Sequence, residues 1–534
     1  MKKLFPLFLL LFLLNMTVAQ SQSDPAKFKE LDSKMLDSYV SILKADENGI
    51  IALKTKTKGA MLGAMVSMGL KAEIYIDQFD SDLNLAKSTF LEDFYFEIFN
   101  SVDNGVEFLL MSPSGKLLLA SSSYIDDISK LILNEIDINS GETISSKVIH
   151  ESKGIDRRGT YRLLYSRNGE KTGIFSYVGT DKKNFETSLY YAEMSPEFNV
   201  SWSNTTVLPF FSKVSSSSIK NLGAGENEAY NSEALLLPTG QFLFNFKIQE
   251  KDFKKTGRNE YYPTLISVGK ESSSLKTKVI GNDRKEYIKG LSIETNLEGS
   301  IFLLGTYGNE NNVVNKGRYF AKLDPESLSI QTETFTPFAG TERKQLILST
   351  AKLFEFNLEK AQKDASKLED VSYFTPKSLS LNTRGNLVLF SEFERIVLVQ
   401  ERMGTMVSTR KDVTGGDIYK QEFGTNGELI STEILAKNTY SPTGGFNRSF
   451  QLRKVDENDF LFYADENKGQ FFVGKIDTFG KVSQRKLADM KEDKRYKGVW
   501  FTCYSKELVD GKHLYAFARD KYKFALVKFD LGNF

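Results

Sequence analysis

The sequence predicts an all-β repeat fold, a β-propeller of about eight four-stranded blades, on three observations. A short polar turn precedes a strongly apolar strand eight times. A strand of alternating apolar residues follows each time. The turns recur at spacings of 66, 54, 71, 59, 86, 73 and 53 residues.

The turns come first. Ala45-Asp46-Glu47-Asn48-Gly49 precedes Ile50-Ile51-Ala52-Leu53, and Ser112-Pro113-Ser114-Gly115 precedes Lys116 and Leu117–Leu119. Ser166-Arg167-Asn168-Gly169, Pro238-Thr239-Gly240, Asn296-Leu297-Glu298-Gly299 and Asn382-Thr383-Arg384-Gly385 repeat the pattern. Asp456-Glu457-Asn458-Asp459 and Asp510-Gly511 complete it. Gly and Asn adopt the positive φ that tight hairpins need, so these are hairpin turns between a first strand a and a second strand b.

A third strand c follows each hairpin. The segments 72–80, 131–137, 318–324, 470–477 and 523–530 alternate apolar and polar residues and end near an Asp, and 188–195, 264–269 and 418–424 are looser copies. Such alternation is that of half-buried strands. With an outer strand d, units begin near residues 39, 106, 160, 231, 288, 376, 450 and 499. One small sheet cannot bury both faces alone, and stacking neighbours into a ring does. Seven blades is the alternative count, and a pair of β-sandwiches the alternative architecture.

The ends of the chain carry their own expectations. Lys2, Lys3, the apolar run Leu4–Leu14 and the small residues Thr17 and Ala19 have the form of a secretory leader over 1–20. The run is too short to span a bilayer, and no later stretch is long enough, so no transmembrane segment is expected in the mature chain. Residues 21–38 read as an amphipathic helix, with Pro25 at its first position and Phe28, Leu31 and Met35 on one face. The propeller then occupies 39–534. Its eighth unit stops after its third strand, which predicts a final three-stranded blade packed on the first without strand exchange.

Composition excludes several function classes. Without Lys2 and Lys3, 68 basic residues face 69 acidic ones, not the excess of a nucleic-acid binder. The single cysteine, Cys503, cannot form an intramolecular disulfide, and one Cys with two His cannot build a usual structural zinc site. His150 and His513 lie in different units, and no G-x-S-x-G elbow marks a nucleophilic serine. Acidic turns such as Asp46-Glu47-Asn48 lack the D-x-D-x-D-G calcium loop. No metal and no cofactor is therefore expected.

A leader together with blades such as GSIFLLGTYGN (299–309) and RYFAKLDPESLSI (318–330) resembles the secreted β-propeller repeat proteins of Bacteroidota. The resemblance covers nearly the whole mature chain, is architectural, and transfers no catalytic residue. It implies an exported propeller in the periplasm, at the outer-membrane surface or secreted.

Departures from the repeat are where function is expected. Residues 58–71 insert KGAMLGAMVSMGLK, which places Met61, Met65 and Met68 on one helical face. Residues 341–370 are rich in helix formers, with Thr341 as N-cap. They include Phe354 and Phe356, and the stretch is expected to be removable without loss of the fold. Met61, Met65, Met68, Phe354 and Phe356 are the candidate partner-binding residues. The charged hairpin 248–261 reads as solvated. The function expected is a non-catalytic binding or scaffold propeller for a protein or glycan partner. The alternative is a carboxylate-dependent glycan-cleaving enzyme, which needs only two acids suitably spaced. No catalytic residue is assigned.

Overall fold

Four inner hairpins are closed by the side chain that opens the turn. Asn296 Oδ1 accepts the Ser300 N–H at 2.8 Å while the Gly299 N–H bonds the Asn296 carbonyl at 3.0 Å. Asn382 repeats this, its Oδ1 accepting from Asn386 N at 3.0 Å. Ser112 Oγ and Ser166 Oγ accept from the Lys116 and Lys171 N–H groups at 3.0 and 2.9 Å. Gly299 and Gly385 stand at φ 88° and 78°, which strains any residue with a Cβ.

The computed structural model describes residues 26–31, 37–57, 71–97, 104–153 (save 113), 160–181 (save 167–168), 186–212 (save 210), 234–249, 262–281 (save 272–274), 286–441 (save 310–312, 355–357 and 404–405), 450–489 (save 456–457, 466–469 and 478–479) and 513–531 (save 521–522). The strands form eight antiparallel sheets arranged as the blades of a propeller. The first blade runs Asp37–Asp46, Gly49–Thr57, Lys71–Phe79 and Leu85–Glu97 in spatial order. Later inner strands are Asn104–Met111, Thr160–Tyr165, Ala234–Leu236, Tyr287–Thr295, Phe374–Leu381 and Phe450–Val455, within three residues of the expected unit starts. The sixth blade continues with Leu387–Met403, Met406–Phe423 and Leu429–Leu435.

The core lies between the blades. Every residue of the strand Ile301–Gly308 is buried, as a strand covered on both faces must be. Leu303 and Tyr319 pack toward the fourth blade, whereas Phe302, Leu304 and Phe320 pack on Leu379, Leu389 and Phe423 of the sixth. Phe471 stacks on Phe529 at 5.1 Å between the seventh and eighth blades. The eighth meets the first through Phe517, Phe524 and Leu526 against Tyr39, Ile42 and Ile50, with Tyr39 and Phe517 stacked at 4.4 Å. The ring is closed.

Its closure corrects two expectations. The segment read as an N-terminal helix holds a strand, Ala26–Glu30, paired antiparallel with Lys523–Asp530 from Ala26↔Phe529 to Glu30↔Ala525. The eighth blade therefore takes its outer strand from the N-terminal segment, and strand exchange joins the two ends of the chain. The spacing of Phe28, Leu31 and Met35 suits a helix, but the last blade's open edge offers ladder bonds that a lone helical turn cannot match. Leu31 fixes the joint, its N–H on the Phe524 carbonyl at 2.9 Å and its side chain in the core of the first blade. The inner strand expected to begin the eighth unit near residue 499 lies outside the described residues.

The insertion after the fifth blade is helical, as two helices, α1 (Gly340–Lys352) and α2 (Leu358–Ala365). Ala339 holds the N-cap position without a side-chain cap bond, so Thr341 falls inside the first turn and does not cap it. His150 lies within the outer strand Thr143–Lys153, buried. His513 opens the strand His513–Asp520. Among the described residues, no helix is long and apolar enough to cross a membrane.

Candidate functional site

In a sheet of four antiparallel strands, the a–b and c–d turns lie at one end and the b–c and d–a connections at the other. The two ends differ. At the first, reversals are short and self-bonded: Asp137 Oδ1 accepts the Asn139 and Ser140 N–H groups at 2.7 and 2.8 Å, and Asp324 accepts from Glu326 and Ser327. These donors hold both carboxyls below the usual range. Asp46, a residue of the acidic turn considered for calcium, has its oxygens on the Asn48 N–H at 2.8 Å and the Lys44 ammonium at 2.7 Å. Among the described residues, no group of three or more His, Cys, Asp or Glu is arranged to hold a metal.

The opposite end carries α1 and α2, seated over the fifth and sixth blades. The apolar side of α1 (Leu346, Ile347 and the following Leu353) packs on Phe338, Phe374, Phe393 and Tyr419. Polar contacts fix its azimuth. Glu342 pairs with Arg318 of the fifth blade and accepts from Tyr419 Oη at 3.2 Å and Gln421 Nε2 at 3.4 Å. Asp417 accepts from Ser349 Oγ at 2.6 Å and Lys352 Nζ at 2.9 Å.

Beneath the helix the sixth blade buries more charge. Lys437, fully enclosed, pairs with Glu392, while Lys377 pairs with Glu394. Burial draws the Lys437 ammonium below its ordinary pKa despite Glu392. For Lys377 burial acts in the same sense, but Glu392 and Glu394 outweigh it and the pKa rises. A β-bulge at Pro376/Ser378 projects Lys377, as bulges re-aim side chains beside functional sites. At the turn-bearing end, Glu422 meets Arg384 at 2.7 Å and Asn386 Nδ2 at 2.7 Å. Burial opposes its charge, yet these partners hold it below the carboxylate norm. Asp46, Asp137, Asp324 and Glu422 are thus displaced in the direction opposite to a glycosidase proton donor.

On this base sits an exposed aromatic group. Phe354 follows the last turn of α1, its N–H on the Ala351 carbonyl at 3.0 Å, and its side chain is 51% exposed. The Arg395 guanidinium lies 4.4 Å from its ring centre, and Tyr373 meets it edge-on at 5.7 Å. Tyr373 holds φ 61°, an outlier for a bulky residue, and two backbone bonds keep it there: its N–H to Val313 O at 3.2 Å, its carbonyl from Glu394 N at 2.8 Å. Leu358, at the start of α2, is exposed as well.

Of the five candidate partner-binding residues, Phe354 is therefore placed, while Met61, Met65, Met68 and Phe356 lie outside the described residues, as do Cys503 and the hairpin tip 250–261. Sequence reading missed Arg395 and Tyr373. Arg395 carried no signal, being one Arg in a strand, and Tyr373 is revealed only by its φ.

No known protein family matches the chain, and no curated protein matches it. Solved structures are similar only distantly. A polysaccharide lyase, Uly1, is 11% identical over 92% of this chain and 89% of its own, with a TM-score of 0.37. The WD40 domain of SCAP from fission yeast is 8% identical over 96% and 99%, with a TM-score of 0.33. A protein of unknown function from Dyadobacter fermentans is 8% identical over 81% and 97%, with a TM-score of 0.31. Likeness at this distance carries no argument about chemistry, and the eight-bladed architecture rests on the strand pairing itself.

Proposed function

We propose that the chain is an exported binding propeller that holds a protein partner at the connection-bearing end of its fifth and sixth blades. One observation carries the reading: Phe354 stands half in solvent, clasped by Arg395 and the strained Tyr373, on a helix anchored by partly buried ion pairs. Aromatic and Arg side chains on rigid elements are what protein interfaces use as anchors. Export is supported by the leader-like residues 1–20, and the place of action is the periplasm, the outer-membrane surface or the medium.

The test is retention of envelope components on the immobilised mature chain, compared between the native protein and Phe354→Ala with Arg395→Ala. A protein held by the first and lost from the second is the expected result. Equal retention on both overturns the site. A glycan lost on substitution would assign the same surface to sugar.

A further inference from the structure

The interface between the fifth and sixth blades changes character along its length. Toward the turn-bearing end, Phe302, Leu304 and Phe320 pack on Leu379, Leu389 and Phe423. Toward the opposite end, Phe338, Phe374 and Phe393 pack with Leu346 of α1. Between these apolar layers the facing residues turn polar. On the fifth blade, Ser292 lies directly opposite Leu304 and Thr306 lies two residues beyond it, so both share its face. On the sixth, Gln421 lies opposite Leu389 and Ser391 two residues beyond it, on the face turned to the fifth.

The blades approach closely here. A Cβ at Gly290 would lie 2.7 Å from Pro376 Cδ. Gly290 is the cross-strand partner of Thr306, and Pro376 that of Ser391, so this contact brings the two hydroxyls to one level of the interface. All four polar side chains are at most 1% exposed. Among the described residues, Ser292 Oγ, Thr306 Oγ1, Ser391 Oγ and Gln421 Oε1 have no hydrogen-bond partner. A buried polar oxygen is costly to leave dry, and this interface gathers four. Gln421 has no way to turn its oxygen elsewhere. Its Nε2 faces Glu342 Oε1 at 3.4 Å, and a carboxylate paired with Arg318 takes only a donor, so Oε1 points into the layer.

Spacing and charge select the ligand. Diagonal neighbours on adjacent strands lie about 7–8 Å apart, which sets Ser292 from Thr306, and Ser391 from Gln421, at a separation that one bridging water spans. Three hydroxyls and an amide oxygen bring no charge to balance an ion, and Arg318, the cross-strand partner of Thr306, disfavours a cation. Groups that both donate and accept suit water. We propose that ordered water joins the fifth and sixth blades at this layer. Its hydrogen bond to Gln421 Oε1 keeps the amide turned toward Glu342, and so holds the first turn of α1 in place. The inference does not rest on Phe354.

Thr306→Val keeps the shape of the side chain and removes its hydroxyl. In a dry layer the change would delete an unpartnered polar group and raise the melting temperature. With water bound it removes a ligand, and the melting temperature should fall by about 1–3 °C. Amide hydrogen exchange along Gly340–Lys352 should quicken in the same variant, because Gln421 loses the water that orients it. A melting temperature that holds or rises refutes the water site, and unaltered exchange refutes its hold on α1. Should Thr306→Val fail to fold, the solvent in a crystal structure of the native chain decides. Water oxygens within about 2.5–3.2 Å of Thr306 Oγ1, Ser391 Oγ and Gln421 Oε1 uphold the proposal. The same three atoms bonded directly to protein groups, or left without solvent, overturn it.

Discussion

At the turn-bearing end, the chain reverses at Asn382 through a bond to Asn386, four residues away. At the opposite end, the sixth blade is held by Lys437 on Glu392, 45 residues away, and by Ser349 on Asp417, 68 residues away. Local chemistry builds most of the first end, with Glu422 on Arg384, 38 residues away, as a long-range tie there. The second end is built from charges that are costly to bury alone and acceptable only as pairs. A substitution among the turns should therefore cost little, whereas one among the buried charges should propagate. Plain turns leave little surface to vary, and the helical insertion emerges at the other end.

The largest test of that contrast is removal of 341–370 behind a short Gly/Ser link. As sequence, this stretch reads as a surface excursion. As structure, it covers Phe374, Phe393 and Tyr419 and supplies the partners of Asp417 and Arg318. Burying Leu346, Ile347 and Leu353 alone contributes about 1.5–3 kcal/mol each, so denaturant unfolding should show a loss above roughly 5 kcal/mol. A deletion variant with native stability would make the helices an ornament.

Next is Lys437→Ala, which removes the ammonium bonded to the buried Glu392 and should cost about 3–5 kcal/mol in urea unfolding. The double change Lys437→Met with Glu392→Leu removes both charges, and most of that stability should return. If the single and double variants unfold alike, the pair is not what holds the blade.

His150 carries the same rule to the interface of the second and third blades. Its ring stacks on Tyr190 at 3.7 Å and its Nδ1 lies 2.8 Å from Tyr161 Oη. Burial lowers its pKa from the usual 6.5 to about 4, against a small opposing pull from Glu151. A histidine whose folded pKa is depressed contributes stability fully present above pH 6.5 and lost as the pH falls through about 4. At 1.36 kcal/mol per unit the loss is roughly 3 kcal/mol. Thermal melts from pH 7 to 4 should show the fall, and His150→Gln should flatten it within that window. An unchanged slope would place the titration elsewhere.

The contrast also decides what the sequence could tell. Blade boundaries were legible because Gly299, Gly385 and the residues opening their turns act within five positions. Helix-forming residues at 341–370 announced α1 and α2, but not the charges beneath them, because Lys437, Glu392 and Asp417 meet only after the blade has folded. Ala26–Glu30 misled for the same reason. Its residues allow a helix, and only the distant edge at Lys523–Asp530 makes it a strand. Of the candidate site, Phe354 could be named from its place in a departure from the repeat. The side chains that clasp it could not.

Smaller effects belong to the turns. Gly385→Ala introduces a Cβ at φ 78° with nothing within 4 Å of it, so only backbone strain is added. The expected cost is about 1–2 kcal/mol, with the cooperative transition retained. A loss as large as that of Lys437→Ala would erase the distinction between the two ends.

The smallest effect on stability should come from the residue that matters most to the proposed function. Phe354 is half exposed, and its cation–π contact with Arg395 at 4.4 Å is worth about 0.5–1 kcal/mol at an exposed site. Leu353, directly before it, is 2% exposed and carries the packing of the helix end. Phe354→Ala should therefore lower stability by no more than about 1 kcal/mol, whereas Leu353→Ala should cost about 2–5 as a buried truncation. Partner retention should order the variants the other way, lost in Phe354→Ala and kept in Leu353→Ala while the protein stays folded. Urea unfolding and retention, measured on the same two preparations, separate an anchor for a partner from a contact that merely finishes the fold. If retention tracks stability in both variants, Phe354 is only the end of a helix.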